Sequence, residues 1–497
     1  MERHWKNLLG VSGAVFLSCG TFMIVVSLQS SIHPGSTGVA SLSIYHICHA
    51  LACLFAPILI AKIGTKWTMV FGTSCWCVYI ACNFYPKPYI LLPVSTLIGV
   101  IVAPFWVAQS THITTTAIHL AAVTGETAEN LVSRFAGISL WFQKFSAIPG
   151  NLISSFILYE GFSGSIGYPV NRTLNHCGGT PSSCIQYIAD YDNTSDEYNV
   201  EVNQNLKNTL FGVLLGCCFC GVVVSIVFID TLSAFCEVTP PKNHRAQSLA
   251  LTALRVMKSR HFALLVPIIA LNGLELSFFF GTFTKSFISC TTGVENIGFV
   301  MTAGGIGGAL AALVSGTAIK YTGRMAVFTV GFFSQLVFLM WMFLWQPYQA
   351  HNWNIYVMAV GLGAGSALRT TQITALVGVL FAERQEGAFG SHLFFHHACY
   401  SVGFALNVFL CAYHQLMIMT SILTVAIATY YILEYDIKQT SKSDKCEKEI
   451  KPVNINELKI TANKPLPEKH EMLASHIKGD VATVCTNLLQ LESNSTV

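Results

Sequence analysis

The chain has 497 residues, of which 53% are hydrophobic and only 11% are charged. Ordinary globular domains contain about 25% charged residues, so this composition excludes a soluble globular protein and indicates that most of the surface faces lipid. The net charge of +3 does not indicate a nucleic-acid partner, because in a membrane protein the distribution of Lys and Arg among the loops carries the information.

The apolar pattern predicts twelve membrane-spanning helices, because a bilayer core of about 30 Å requires roughly 20 apolar residues per helix. The first six predicted spans are 8–28, 42–61, 68–85, 89–111, 134–159 and 207–229. The second six are 262–283, 297–318, 325–345, 353–377, 388–410 and 413–433.

A polar interval separates the two groups of six spans. It contains Pro240 and Pro241, which interrupt helices, and a set of basic residues typical of a cytoplasmic loop. These basic residues are Lys242, Arg245, Arg255, Lys258 and Arg260. The sequence therefore predicts four segments in chain order. They are an N-terminal six-helix bundle at 1–229, a cytoplasmic linker at 230–261, a C-terminal six-helix bundle at 262–433 and a disordered cytoplasmic tail at 434–497.

The basic residues also predict the orientation. If the spans alternate, one membrane face collects Arg3, Lys6, Lys62, Lys66, Lys320 and Arg324, together with the linker. That face should be cytoplasmic, with both termini on it. The plasma membrane is the expected location, and an endomembrane is the alternative. The opposite face carries the long outer loop 160–206, whose sequons at Asn171 and Asn193 predict glycosylation.

Two further features concern the outer loop and the tail. Cys177 and Cys184 flank a turn-rich segment in an oxidising compartment, so a local disulfide between them is predicted. Two free thiols are the alternative, and Cys290 in the next outer loop is a competing partner. The chain ends at Val497 with a Ser-Thr-Val pattern that PDZ domains bind, although an unremarkable tail is the simpler reading.

The two halves resemble each other in short motifs. Lys62-Ile-Gly-Thr-Lys66 follows the second span, and Lys320-Tyr-Thr-Gly-Arg324 follows the eighth. Gln109 and Gln372 lie near the inner ends of spans four and ten. Internal duplication is typical of secondary transporters, whose site lies between the halves near mid-membrane, whereas chance similarity of short turns is the alternative. Glycine-rich stretches in spans eight and ten predict close helix packing, or helices that bend during gating.

Several stretches together carry a family resemblance. They are Leu28-Gln-Ser-Ser31, Ala103-Pro-Phe-Trp-Val-Ala-Gln109, Gly150-Asn-Leu-Ile-Ser-Ser155, Lys285-Ser-Phe-Ile-Ser-Cys290, Tyr321-Thr-Gly-Arg324, and Gly378-Val-Leu-Phe381 with Ala388-Phe389. In this order the chain resembles the UNC-93 family, closest to its A-type homologues, from the first span to about residue 433. The resemblance implies a twelve-helix fold like the major facilitator superfamily. It also implies one of two roles, regulation of a potassium channel or escort of another membrane protein.

Three intramembrane charges are the strongest candidates for a site. Lys144, Glu275 and Arg369 lie inside predicted spans five, seven and ten. A charge at mid-bilayer costs roughly 2.5 to 3.5 kcal/mol, so such residues face water or a partner. We expect Lys144 and Glu275 to interact in one hydrated cavity, with Gln143 beside them, and Arg369 to be near enough to the surface to snorkel. For each charge, a purely structural tether between helices is the alternative.

Histidines complete the candidate cavity. His396 and His397 lie in predicted span eleven, where they could handle protons. His392 and His396 have the spacing of metal ligands, but no carboxylate or further histidine is placed to complete a site, so no metal is predicted. His46 and His49 are expected to face the cavity or to pack.

Two functional classes remain open from the sequence. No phosphate loop, nucleophile elbow or redox motif is present in the sequence, so neither an enzyme nor a cofactor is predicted. The polar spans favour a transporter of an unidentified small solute. The lack of a recognisable substrate motif favours a non-transporting accessory subunit that regulates a potassium channel or escorts another membrane protein.

Overall fold

The protein is helical throughout the part of the chain that the computed structural model describes. That part comprises residues 2–32, 37–85, 87–163, 177–184, 204–232, 246–293, 296–347 and 353–450, and it contains no strand. The predicted all-helical membrane class is confirmed.

The N-terminal half forms six long helical elements. They are α1 (Glu2–Ile32), α2 (Thr37–Cys53), α3 (Ala56–Cys82), α4 (Pro88–Thr124), α5 (Ala128–Ser163) and α6 (Gln204–Phe228). α4 begins with Pro88, at a position where a missing backbone N–H costs no helical hydrogen bond. It ends because Gly125 adopts a φ of 74° and its N–H bonds the carbonyl of Ala121 at 2.9 Å.

The C-terminal half begins with a short helix and continues with five long ones. They are α7 (Ala246–Met257), α8 (Arg260–Ser277), α9 (Ile297–Leu344), α10 (Trp353–Leu380), α11 (Gln385–Phe409) and α12 (Ala412–Ile450). α8 continues as a π-helix over Phe278–Ser289 and ends in one further turn, Cys290–Thr292.

Helix α7 lies inside the predicted cytoplasmic linker. It buries Ala253 and Val256 against the bundle, and the hydroxyl of Ser391 in α11 donates to the carbonyl of Ala253 at 3.0 Å. The linker is therefore not a loop throughout. Its second part is an amphipathic helix packed on the inner end of α11, a feature that the helix-interrupting prolines at 240–241 concealed.

Two glycines divide α3 and α9 at matching places. Gly64 in α3 has φ 77° and ψ 165°, and Gly323 in α9 has φ 77° and ψ 164°. A Cβ at either position would meet nothing within 4 Å, so the left-handed φ rather than lack of space requires glycine. The two turns are the repeated basic motifs of the sequence, and their identical backbone supports duplication of one helical unit.

Each predicted span lies on a helical segment once these breaks are counted. The second span runs through α2 and the start of α3, across a turn at Leu54 and Phe55. By length and apolar composition alone, six of the described helices could cross a membrane, or seven if α2 and α3 form one bent span. The count of twelve therefore depends on the glycine breaks as well as on hydropathy.

The halves contact each other closely through glycines on their inner side. A Cβ on Gly137 of α5 would lie 2.6 Å from the carbonyl oxygen of Ala312 in α9, and one on Gly316 would lie 2.9 Å from that of Ser133. A Cβ on Gly390 of α11 would lie 2.7 Å from the carbonyl of Cys53 in α2. Glycine at these positions lets helices of the two halves touch backbone to backbone.

The last helix of the described part of the chain extends beyond the predicted start of the tail. Contacts divide the chain into the compact units Met1–Tyr430 and Tyr431–Val497. The prediction of disorder from residue 434 is wrong for its first part, because α12 continues to Ile450. Asn171, Asn193 and Val497 lie outside the described residues, so the glycans and the PDZ motif stay predictions.

Candidate functional site

A cavity of about 650 Å³ lies between the helices of the two halves. Residues of α1 to α5 line one side, and residues of α8, its π-helical continuation, α10 and α11 line the other. At its outer end the wall includes Gly178 and Ser183 of the outer segment and Ala412 of α12. Small-molecule sites usually enclose about 300–1,000 Å³, so the cavity can hold a metabolite-sized solute.

The π-helix contributes a polar strip to this wall. Thr282 donates to Gln415 Oε1 at 2.6 Å and lies 2.9 Å from Asn407 Oδ1, and Gly281 packs against the same Asn407. π-helical turns are rare and are frequently found at functional sites. Here the irregular turn brings Thr282 and Thr284 to the cavity.

The ionised side chains on the cavity wall are lysines. Two lysines and four histidines line it: Lys144, Lys285, His46, His392, His396 and His397. None of the described residues on the wall is an aspartate or a glutamate. The site therefore favours a solute that carries negative charge.

Lys144 is partly buried on α5 and is flanked on the wall by Gln143 and Asn151. Its alkyl chain runs past Gly308 of α9, where a Cβ would lie 3.5 Å from Lys144 Cδ. Within the described chain, its ammonium makes no ion pair of 4 Å or less and no hydrogen bond. Glu275 is near enough for attraction between the two charges, but it is engaged elsewhere.

Glu275 and Arg369 form a buried ion pair behind the cavity wall. Arg369 Nη2 donates to Glu275 Oε2, and the arginine is fully buried. Arg369 Nη1 also donates to the carbonyl of Gly331 at 3.3 Å and to Gln335 Oε1 at 3.4 Å. Neither partner of the pair lines the cavity.

This pairing corrects two expectations. Glu275 has its ion pair with Arg369 and not with Lys144. Arg369 does not snorkel to the surface, because it lies among α8, α9 and α10 and exposes none of its area. Sequence spacing placed Lys144 and Glu275 at similar depth and Arg369 nearer the end of its helix, but which face of each helix they occupy depends on helix rotation.

The histidines of α2 and α11 meet where the two halves touch. His46 Nδ1 lies 3.3 Å from His397 Nδ1, and the ring of His49 lies 3.9 Å from that of His397, centroid to centroid. His49 is fully buried, and neither of its ring nitrogens has a hydrogen-bond partner in the structure. Further histidines thus lie close to His396 and His397. The expectation that no further histidine is near them is wrong.

The described histidines do not bring three ligand atoms together. Across the part of the chain that the structure describes, the only three His, Cys, Asp or Glu ligand atoms within 4.8 Å of one another belong to Cys184, Cys411 and His414. The two thiols of that group are joined in a disulfide, so they are not available to a metal.

The outer segment 177–184 is anchored to the C-terminal half by two disulfides. Cys177 pairs with Cys290, at a Cα–Cα distance of 5.7 Å, and Cys184 pairs with Cys411, at 5.5 Å. The predicted local bridge between Cys177 and Cys184 is therefore wrong, and the competing partner Cys290 is the correct one for Cys177. A helical turn, closed by the bond from Cys184 N–H to the carbonyl of Thr180, directs the two thiols to different neighbours.

A charge network joins the halves at their inner ends. Arg324 Nη1 lies 2.9 Å from Glu129 Oε1, and Lys320 Nζ lies 3.8 Å from Glu126 Oε1. Arg134 approaches the same Glu126 at 3.5 Å. The repeated basic turn around Gly323 thus binds Glu126 of the connection between α4 and α5 and Glu129 in the first turn of α5.

Residues 30–431 match a family model described as ion channel regulatory protein UNC-93. The chain belongs to the UNC-93 family. It is 30% identical over 442 residues to protein unc-93 homolog A of Bos taurus, which covers 88% of this chain and 94% of that protein. It is 26% identical over 403 residues to the putative potassium channel regulatory protein unc-93 of Caenorhabditis elegans, which covers 81% of this chain and 57% of that protein.

The fold of this UNC-93 family chain resembles solved transporters. The E. coli fucose:proton symporter aligns with a TM-score of 0.58 at 12% identity, covering 86% of this chain and 98% of the symporter. At that identity the likeness shows the fold alone. The major facilitator-like fold predicted from sequence is confirmed.

Two amides extend the buried polar network in this UNC-93 family chain, and only the first of them was missed from the sequence. Asn272 is one helical turn before Glu275, and its Oδ1 lies 3.5 Å from Arg369 Nε. Gln372 donates to Ser133 Oγ and Ser315 Oγ, both at 2.9 Å, and so joins three helices. A buried Asn or Gln beside an intramembrane charge is the pattern that indicates such a network, because each such group requires a hydrogen-bond partner.

Proposed function

We propose that this protein moves a small solute across the membrane, with the bundles 1–229 and 262–433 rocking about the cavity. The observation that carries the proposal is Lys144, an ammonium on the cavity wall without an ion pair among the described residues. An inert scaffold has no use for such a group, which costs roughly 2.5 to 3.5 kcal/mol at mid-bilayer. The transporter-like fold supports the same function, and we assign the protein no enzymatic step.

Uptake measurements test this proposal directly. Cells that express the protein are given a broad panel of labelled metabolites, beside cells that express Ala147→Trp, which fills the cavity from α5. The matched control is Val213→Trp on α6, where the wild-type side chain is 60% exposed. We expect uptake of at least one solute by the wild type and Val213→Trp and its loss in Ala147→Trp; equal uptake by all three, or by none above empty cells, would reject transport.

A second candidate function is regulation of a potassium channel. The family description and the name given to the Caenorhabditis elegans relative favour it. Co-expression with candidate channels and recording of potassium current tests this role. A current change that persists in Ala147→Trp supports an accessory subunit that does not need the cavity.

The location and orientation belong to the same proposal. We place the protein in the plasma membrane with both termini in the cytoplasm. The basic residues Arg3, Lys6, Lys62 and Lys66 support this orientation, as does the pairing of four cysteines at the opposite ends of the helices.

A further inference from the structure

We infer that the cavity binds a small organic monocarboxylate with an apolar body, and that Lys144 holds its carboxylate; this names the solute class for the transport function proposed above and rests on it. Four observations carry the assignment: the balance of charge on the wall, the free ammonium, the engaged acidic group and the aromatic lining.

The balance of charge excludes a cationic solute. Two lysines, Lys144 and Lys285, and no carboxylate lie on the described part of the wall. A cation in this cavity would meet like charge without a carboxylate on the described wall to offset it, in a region where water screens weakly. An anion meets a complementary field.

The free ammonium supplies one strong contact. Lys144 projects from α5 between Gln143 and the glycine face of α9, where Gly308 leaves room for its alkyl chain. The nearest compensating charge, Glu275, already binds Arg369. A bound carboxylate would form an ion pair with the ammonium of Lys144. Charge-assisted hydrogen bonds of this kind are about twice as strong as neutral ones.

The histidines on the opposite wall can complete the contact to the carboxylate. His392 is 7% exposed, lines the cavity, and has an Nδ1 without a hydrogen-bond partner in the structure. His396, one turn along α11, also lines the cavity with an unpartnered Nδ1. Such buried nitrogens cost free energy until a ligand or water satisfies them.

The ammonium of Lys144, without an ion pair among the described residues, favours a monoanion over a phosphate group. A phosphate group carries about −1.5 to −2 charge near pH 7, and the buried arginine of this region, Arg369, is committed to Glu275 and cannot help Lys144 to offset it. The walls around Lys144 are aromatic instead. The Phe, Tyr and Trp rings that line the cavity are Phe22, Tyr45, Trp76, Trp106, Phe280, Tyr400 and Phe404. A flat or branched apolar body fits this lining better than a polyhydroxylated one.

Binding to the purified full-length protein tests the inference. The probes are 3-phenylpropionate, its neutral amide 3-phenylpropionamide, its amine analogue 3-phenylpropylamine, and inorganic phosphate, followed by quenching of Trp76 and Trp106 on the wall. We expect 3-phenylpropionate to bind at least about tenfold more tightly than the other three, because they lack a monoanionic head.

The variants test the role of Lys144. Lys144→Gln should weaken carboxylate binding about tenfold or more, Lys144→Arg should retain most of it, and exposed Lys62→Gln should bind as the wild type. Elution as a single monodisperse peak qualifies each variant for comparison, and Lys144→Arg covers the case in which Lys144→Gln does not fold. Carboxylate binding unchanged in Lys144→Gln, no carboxylate binding in the wild type, or tighter binding of the amine would each overturn the inference.

Uptake separates this inference from the transport proposal. If carboxylate binding depends on Lys144 but no solute is taken up, the carboxylate site is supported and transport is rejected. If a cationic or neutral solute is taken up and Ala147→Trp blocks that uptake, transport is supported and the carboxylate site is rejected.

Discussion

Glu275 and Arg369 satisfy each other's charge in the interior of the bundle. Arg369 makes hydrogen bonds to groups of two neighbouring helices as well, through Gly331, Gln335 and Asn272. Desolvation of two ions is costly, and the pair compensates only while both members are present. Its role is therefore to fix how α8, α9 and α10 pack, and the residue scale offers a direct test.

Single and double substitutions test this pair. Glu275→Ala and Arg369→Ala should each destabilise the protein by about 3 to 5 kcal/mol, because each leaves a buried charge unpaired. The double variant Glu275→Leu with Arg369→Met should recover much of that loss, measured as thermal unfolding of the detergent-purified protein. The control is Lys144→Ala combined with Glu275→Ala, which should give no recovery; recovery there would assign the pair to Lys144 instead.

Asp230 anchors the N-terminus beyond the inner end of α6. Its carboxylate accepts hydrogen bonds from Arg3 Nε at 3.0 Å and from Lys6 Nζ at 2.9 Å. The backbone N–H of Asp230 donates to Asn7 Oδ1 at 2.7 Å. Burial raises the pKa of Asp230, but the hydrogen bonds from Lys6 and Arg3 outweigh burial and hold that pKa below its usual value. The stabilisation from these contacts is therefore fully present at pH values above 3.8, the ordinary pKa of an aspartate. It is lost as the pH falls through the lower pKa of Asp230 in the folded state.

The Asp230 anchor predicts a local change without a pH effect near neutrality. Asp230→Asn should speed hydrogen exchange in the first turns of α1 by up to about fivefold, since partly exposed pairs contribute about 0.2 to 1 kcal/mol. Mass spectrometry of peptides from residues 2–7 measures it at pH 5 and pH 8. The wild type should exchange to the same extent at both pH values after correction for intrinsic rates; a strong difference would assign the anchor to another group.

The sequence identified the polar residues but not their partners. Lys144, Gln143, His396 and His397 lie on the cavity wall, where their position in long apolar spans predicted them, although their role stays a prediction. The missing information was helix rotation. A change of one position turns a side chain by about 100°, which decides whether it faces the cavity or a neighbouring helix.

At the scale of elements, the outer segment joins the two halves. Its flanking chain belongs to the N-terminal half, yet Gly178 and Gly179 are buried against the C-terminal half, beside Trp345 and Leu416. The sequence indicated oxidised cysteines but gave the wrong pairing. Sequence proximity favoured Cys177 with Cys184, whereas the structure closes loops of 113 and 227 residues.

The pairing of the cysteines predicts a specific peptide map. Protease digestion without reductant should give linked peptides that contain Cys177 with Cys290 and Cys184 with Cys411. Cys177→Ser should release only Cys290 to alkylation, and Cys411→Ser only Cys184. A linked peptide that joins Cys177 to Cys184 in the wild type would contradict the structure.

The repeated basic turns were read correctly from sequence because their signal is local. A glycine between basic residues ends one span and begins the next, and the left-handed φ at Gly64 and Gly323 explains the residue type. The sequence gave no comparable signal for Glu126 and Glu129. These carboxylates form ion pairs with Lys320 and Arg324. Their positions follow from the packing of α5 on α9, which only the fold reveals.

At the scale of the whole molecule, two sets of residues mark opposite ends of the bundle. Lysines and arginines cluster at the turns around Gly64 and Gly323, and the paired cysteines lie at the other ends of the helices. Disulfides persist in oxidising compartments, and Lys and Arg are retained on the cytoplasmic side. The two markers are independent, and both support the proposed orientation, with the cysteine-bearing end outside.

This orientation makes a prediction about glycosylation that separates the two faces. Asn171 and Asn193 lie in the outer loop, whereas Asn494, in the C-terminal tail, also has a sequon. Asn171→Gln and Asn193→Gln should each raise gel mobility by one glycan, and the double variant should migrate like enzymatically deglycosylated wild type. Asn494→Gln is the matched control and should migrate as the wild type, because the oligosaccharide is added only in the lumen. The reverse pattern, with a shift in Asn494→Gln alone, would require an inverted protein, with its basic turns outside and its four paired cysteines in the reducing cytoplasm.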